Sequence, residues 1–156
     1  MTEWSSDPGS RSPYHDTTDT AAWIIASVAS LRKEGLKAYS YWTFSDVFEE
    51  GGIPGQNTPF HGGFGMINLW GVPKPSMRAF EMLNLLGETE AEVTMSTTVE
   101  TLTVLASPIA GGGLRVILAN HACPTCTGEA SSPNPHPILI SSSPHSPFIL
   151  SQSRRT

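Results

Sequence analysis

The sequence has no apolar run long enough to span a bilayer, and its longest uncharged helical candidate is amphipathic, so a membrane partner is not expected. Basic residues are few. Nine Lys and Arg stand against 14 Asp and Glu, a net charge of -5, and no basic helix or stripe occurs, which excludes an electrostatic nucleic-acid surface. Two cysteines cannot build a disulfide framework, so the compartment is not legible from them. The opening residues, MTEWSSDPGS, are acidic and polar, and no signal peptide is present in the chain as written.

Glycine and proline are plentiful, 14 and 13 in 156 residues, with the prolines concentrated toward the end; the length itself suits one domain. The chain is organised around residues 39–65, YSYWTFSDVFEEGGIPGQNTPFHGGFG. The run Leu36 to Ser45, rich in aromatic and β-branched residues, predicts a buried strand. Asp46, Glu49 and Glu50 follow at its carboxyl end, which in parallel α/β folds faces the ligand. Trp42 offers a flat apolar face and the carboxylates offer acceptors for hydroxyls, the two requirements of a sugar site. The alternative is a solvated acidic loop after an ordinary core strand.

In chain order, Glu3 and Trp4 resemble the end of a strand. Asp16 or Thr17 is placed to cap a helix whose apolar face is Ala21, Ile24, Ile25, Val28 and Leu31, with Gly35 as its stop. After the acidic loop, Gly62, Gly63 and Gly65 permit close backbone approach. Pro73, Pro75 and a capping Ser76 announce a second helix with Met77, Phe80, Leu83 and Leu86 on one face, ending at Gly87. The order strand end, helix, strand, helix is that of an α/β barrel or doubly wound sheet. Beyond Gly87, Glu92 to Met95, Glu100 to Ala106 and Leu114 to Asn120 read as strands of a small β-sandwich, the last two joined by SPIAGGG. The Ser/Pro-rich tail, residues 122–156, reads as disordered, its apolar triplets Ile138 to Ile140 and Phe148 to Leu150 having no periodic context.

The segments TEWSSDPGSRSPYHDT, YSYWTFSDVFEEGG, FHGGFGMINLWGVPKPSMRAFEMLNLLG and LRVILANH, in that order over residues 1–121, resemble glycoside hydrolase family 39, the β-xylosidase type. The resemblance implies an α/β fold: the C-terminal fragment of a TIM (β/α)8 barrel, its last two β/α units in residues 1–87, then partial β-sandwich strands in residues 88–121. It implies that Glu3 is the catalytic nucleophile of a retaining glycosidase. It also implies substrate-binding roles for Trp42, Asp46, Glu49 and Glu50, the last two within the FEE motif that contacts the sugar. The expected ligand is a xylo-oligosaccharide or other small glycoside, with no cofactor and no metal. The family's acid/base Glu lies in an Asn-Glu-Pro motif that this sequence lacks. A fragment inactive on its own is therefore expected, with a non-catalytic carbohydrate-binding or regulatory remnant as the alternative.

Two other features compete for attention. His121, Cys123 and Cys126 form H-x-C-x-x-C, to which His136 or His145 would add a fourth zinc ligand, but Pro124 and Thr125 form no recognisable knuckle. Of the remaining histidines, His15 precedes a helix cap and suits a structural hydrogen bond, whereas His61 packs under the cleft or shapes it.

Overall fold

The computed structural model describes residues 3–48, 58–96, 98–122, 138–141 and 148–152. It divides into two compact units, residues 1–85 and 86–156.

In the first unit, a 3-10 turn over Pro13–Asp16 leads into helix α1, Thr18–Lys33. Thr20, Ile24, Ile25 and Val28 recur on its buried face. Thr17 is the N-cap residue but makes no side-chain cap; its hydroxyl donates to the Tyr14 carbonyl at 2.8 Å. Asp16 does not cap either, because its carboxylate is engaged with a distant loop. The C-terminus ends as Gly35 suggests. Its φ of 78° lets the Leu36 N–H reach the Leu31 carbonyl and the Gly35 N–H the Arg32 carbonyl, each at 3.0 Å, which satisfies two otherwise unpaired carbonyls.

Helix α2, Pro75–Asn84, packs against α1. Pro75 occupies its first turn, where a missing N–H costs nothing. The N-cap is Lys74 rather than the expected Ser76, which is fully buried along with Ala79. Phe80 sets its ring against Tyr41, with centroids 5.6 Å apart.

The expected strand over Leu36 to Ser45 is not a continuous ladder. It forms isolated parallel bridges, Trp4 to Tyr41 and Ser45 to Ile67, and Ile67 bridges Pro73 in turn. A ladder needs a partner of matching length. Here residues 40–42 pair with Trp4, while 43–46 pair with the glycine-rich return at 64–67.

The second unit is built on strands. Strand β1 is Val93–Met95, β2 is Leu102–Pro108 and β3 is Leu114–Asn120. Strands β2 and β3 form an antiparallel hairpin in register from Leu102–Asn120 to Pro108–Leu114. Its turn uses Gly111, Gly112 and Gly113, all at positive φ, where side chains with a Cβ are disfavoured. Two strands also occur within the tail read as disordered: β4, Ile138–Ser141, and β5, Phe148–Gln152. They pair antiparallel, and β5 pairs in parallel with β1, giving an open sheet in the order β1-β5-β4. The apolar triplets between the prolines thus find ladder partners that sequence periodicity does not reveal.

Candidate active site

Trp4 and Tyr41 are register partners, so their side chains share one face of the pair. Their rings meet nearly edge-on at 5.4 Å. Trp23 of α1 joins at 5.1 Å and Tyr39 at 5.8 Å. This face is the aromatic seam against the helices. Alternation therefore directs Glu3 and Trp42 to the opposite face. Glu3 is exposed and Trp42 half-buried there, with the Trp42 N–H donating to the Trp4 carbonyl at 2.9 Å. The Trp42–Thr43 peptide is cis. Burial pushes the Tyr41 hydroxyl pKa up to about 12; a hydrogen bond with Ser5 opposes the shift, and the charge of Asp46 adds to it.

Beyond Thr43 the chain turns through a short 3-10 segment, Asp46–Phe48, whose first residue is fully buried. Asp46 is the hub of a charged cluster. The Lys74 ammonium, also inaccessible, lies 2.8 Å and 3.0 Å from the two Asp46 carboxylate oxygens and 2.7 Å from Asp16 Oδ1. Lys74 Nζ also donates to the Gly63 carbonyl at 3.0 Å. The Gly65 N–H donates to Asp46 Oδ1 at 2.7 Å, and the Gly62 N–H donates to Asp16 Oδ2 at 2.5 Å. His61 Nε2 lies 3.5 Å from Asp46 Oδ2.

The glycines of FHGGFG make this cluster possible. A Cβ on Gly65 would collide with the backbone of Ser45 and Asp46; one on Gly62, at φ 79°, would fall 2.7 Å from the Ser12 carbonyl oxygen. His15 is buried beside this loop, with Nδ1 2.8 Å from the Gly62 carbonyl oxygen, which is the structural hydrogen bond expected of it. Asn68 holds the next turn. Its Oδ1 accepts from the N–H groups of Trp70 and Val72, and its Nδ2 donates to the Pro59 carbonyl.

The structure therefore withdraws Asp46 beneath the surface, while Glu3 is exposed and Trp42 half-buried. Glu49 and Glu50 lie outside the described residues, as do Cys123, Cys126, His136 and His145. Among the described residues, no three His, Cys, Asp or Glu side chains gather as a metal site. Lys74 and Asn68 are the residues sequence reasoning missed. The available signal was a lone lysine between two prolines, in a chain where neither Asp16 nor Asp46 has an adjacent Lys or Arg.

A model of glycosyl hydrolases family 39 matches residues 1–122. The chain belongs to that family. Among curated relatives, it is 47% identical over 92 residues to a beta-xylosidase of Caldicellulosiruptor saccharolyticus, covering 59% of this chain and 18% of the relative. To a beta-xylosidase of Geobacillus stearothermophilus it is 43% identical over 88 residues, covering 56% and 17%. Among solved structures, the family 39 enzyme of Xanthomonas axonopodis pv. citri superposes with a TM-score of 0.64 at 29% identity, covering 91% of this chain and 26% of that one. A family 39 beta-xylosidase of Caulobacter crescentus gives 0.58 at 37% identity, covering 70% and 23%.

The chain thus spans less than a fifth of the length of these curated relatives. The family 39 structures imply the TIM-barrel family fold. The described residues themselves form a mixed α/β arrangement with an open sheet.

Proposed function

We propose that this chain carries the nucleophile side of a retaining glycosidase site that cleaves β-xylosidic bonds. In this reading residues 1–87 are the last two β/α units of the barrel, and residues 88–121 contribute strands of the sandwich that follows it. Glu3 is the nucleophile, and Trp42, Glu49 and Glu50 hold the sugar. Asp46 serves the same site from below, through the turn it anchors.

The supporting observation is the pairing of Trp4 with Tyr41, which commits the aromatic seam to the helices and leaves Glu3 with Trp42 on the other face. An exposed carboxylate and a flat indole suit attack on an anomeric carbon: the ring stacks on the indole while the carboxylate oxygen forms the glycosyl-enzyme bond and the leaving oxygen takes a proton. Water then hydrolyses that ester, and the group that gave the proton acts as base. Retaining enzymes hold that second carboxyl group about 5 Å from the nucleophile. The Asn-Glu-Pro motif that supplies it in the family does not occur among these 156 residues, so the chain alone is expected to bind without turnover.

The test is a titration with xylobiose followed at the Trp42 indole signal, together with an assay on an aryl β-xyloside. Saturable binding lost in Trp42→Ala, with no hydrolysis, is the expected result. Hydrolysis abolished by Glu3→Gln would overturn the inactivity, and no binding at all would overturn the sugar site.

A further inference from the structure

The Lys74 side chain is fully buried, as is that of Asp46, yet the proposed chemistry does not use it. Its ammonium joins three separate pieces of chain: the end of the 3-10 turn at Asp16, the turn beginning at Asp46, and the glycine loop at Gly63. Its own backbone is fixed independently. The Lys74 N–H donates to the Met66 carbonyl at 2.8 Å, and the Lys74 carbonyl accepts from the Arg78 N–H at the start of α2. The lysine therefore extends from a rigid helix end into the turn that leads, in sequence, to Glu49 and Glu50.

The two carboxylates do different work. Asp16 ties the ammonium to the entry of α1, and its other oxygen takes the Gly62 N–H. Asp46 offers both oxygens to the ammonium and one of them also to the Gly65 N–H, while its backbone N–H donates to the Ile67 carbonyl at 2.9 Å. Every partner of Asp46 is thus interior, and its side chain has no freedom to reach a ligand. Its neighbours Val47 and Phe48 are strongly exposed. An anchored residue followed directly by exposed ones is the arrangement of a presented turn.

We infer that Lys74 is a positioning residue for the Asp46–Phe48 turn, holding in place the chain that continues from Trp42 of the sugar site; this rests on the sugar-site reading above. Because a buried carboxylate left without its counter-ion is strongly disfavoured, loss of the ammonium is relieved by opening the turn to water.

Amide hydrogen exchange on the 156-residue chain tests this. In Lys74→Met, which keeps the aliphatic stem, the amides of Asp46, Phe48 and Gly65 are expected to exchange about a hundredfold faster, with those of Ile24, Ile25 and Val28 changed less than about threefold. Xylobiose affinity is expected to fall at least about tenfold. Asp46→Asn keeps the shape, removes the charge and replaces one acceptor oxygen with an amide donor while leaving Asp16 to the ammonium, so it serves if Lys74→Met unfolds; about tenfold faster exchange, confined to the turn, is expected there. Unchanged exchange at the turn, equal loss in α1 under both variants, an unprotected turn in the unsubstituted chain, or undiminished xylobiose affinity in Lys74→Met would each overturn the inference. If the exchange pattern holds but the unsubstituted chain binds no xylobiose, the sugar reading fails while the anchoring of the turn stands.

Discussion

The two units bury different kinds of atoms. In the second, the buried residues among those described are Leu105, Ala106, Ser107, Ile117 and Ala119, on paired strands whose backbone groups satisfy one another through the ladder. In the first, Ile24, Ile25, Val28 and Ala79 share the interior with Ser12, His15, Thr20, Thr43, Asp46, Asn68, Lys74 and Ser76. The contrast follows from backbone regularity. Residues 43–48 and 60–74 make scattered backbone bonds rather than a ladder, so N–H groups such as those of Gly62, Gly65, Trp70 and Val72 take side-chain partners instead. Irregular chain near a site is thus held by buried polar side chains, and the regular hairpin by apolar ones.

The largest break in this comparison is expected from Lys74→Met, which strands two carboxylates and should destabilise the first unit by about 4 kcal/mol. Denaturant unfolding with exchange as the probe should show the β2–β3 amides unaffected at concentrations that open the first unit. Equal loss in the hairpin would mean that the units do not differ in what holds them. Gly65→Ala comes next, at about 3 kcal/mol, because the added methyl group meets backbone that cannot yield. Thermal melts should place it well below a surface Gly→Ala change.

Alkaline pH sharpens the comparison further. The Tyr41 pKa is raised from 10.0 to about 12, so the folded state holds this proton more tightly than the unfolded chain. The associated stability, about 2 kcal/mol, is complete below pH ~10 and is lost as pH rises toward ~12. Tyr41→Phe should remove this step from the stability–pH curve of the first unit, with a pH-independent loss of the hydrogen bond to Ser5. The smallest effect is expected at the Arg78–Glu81 pair, exposed on α2; Arg78→Ala should cost no more than about 0.5 kcal/mol in a thermal melt.

Much of the fold was legible because helices announce themselves locally. The period of Ile24, Ile25 and Val28 and the stop at Gly35 define α1, and SPIAGGG marks the hairpin between β2 and β3. The aromatic run after Leu36 was read as a full strand, since composition records preference for extended chain but not the length of a partner. The strands within the tail were invisible for the same reason: each triplet becomes a strand only beside another. The proposed roles of Glu3 and Trp42 rest on the family resemblance rather than on any local pattern. Asp46 was read by its place after an aromatic strand, whereas its fate is set by Lys74, 28 residues away, and by two glycines that let the loop close on it. No local pattern encodes such a meeting.

The Asp46–Lys74 contact also bears on how this region changes in descent. Loss of Lys74 alone leaves Asp46 and Asp16 without their counter-ion, and loss of Lys74 with Asp46 still leaves Asp16; only replacing all three removes that penalty. The three positions therefore form one heritable unit. Lineages crossing from the charged to an apolar version should do so by concerted replacement, and an engineer redesigning the turn has to treat the three sites as a single letter.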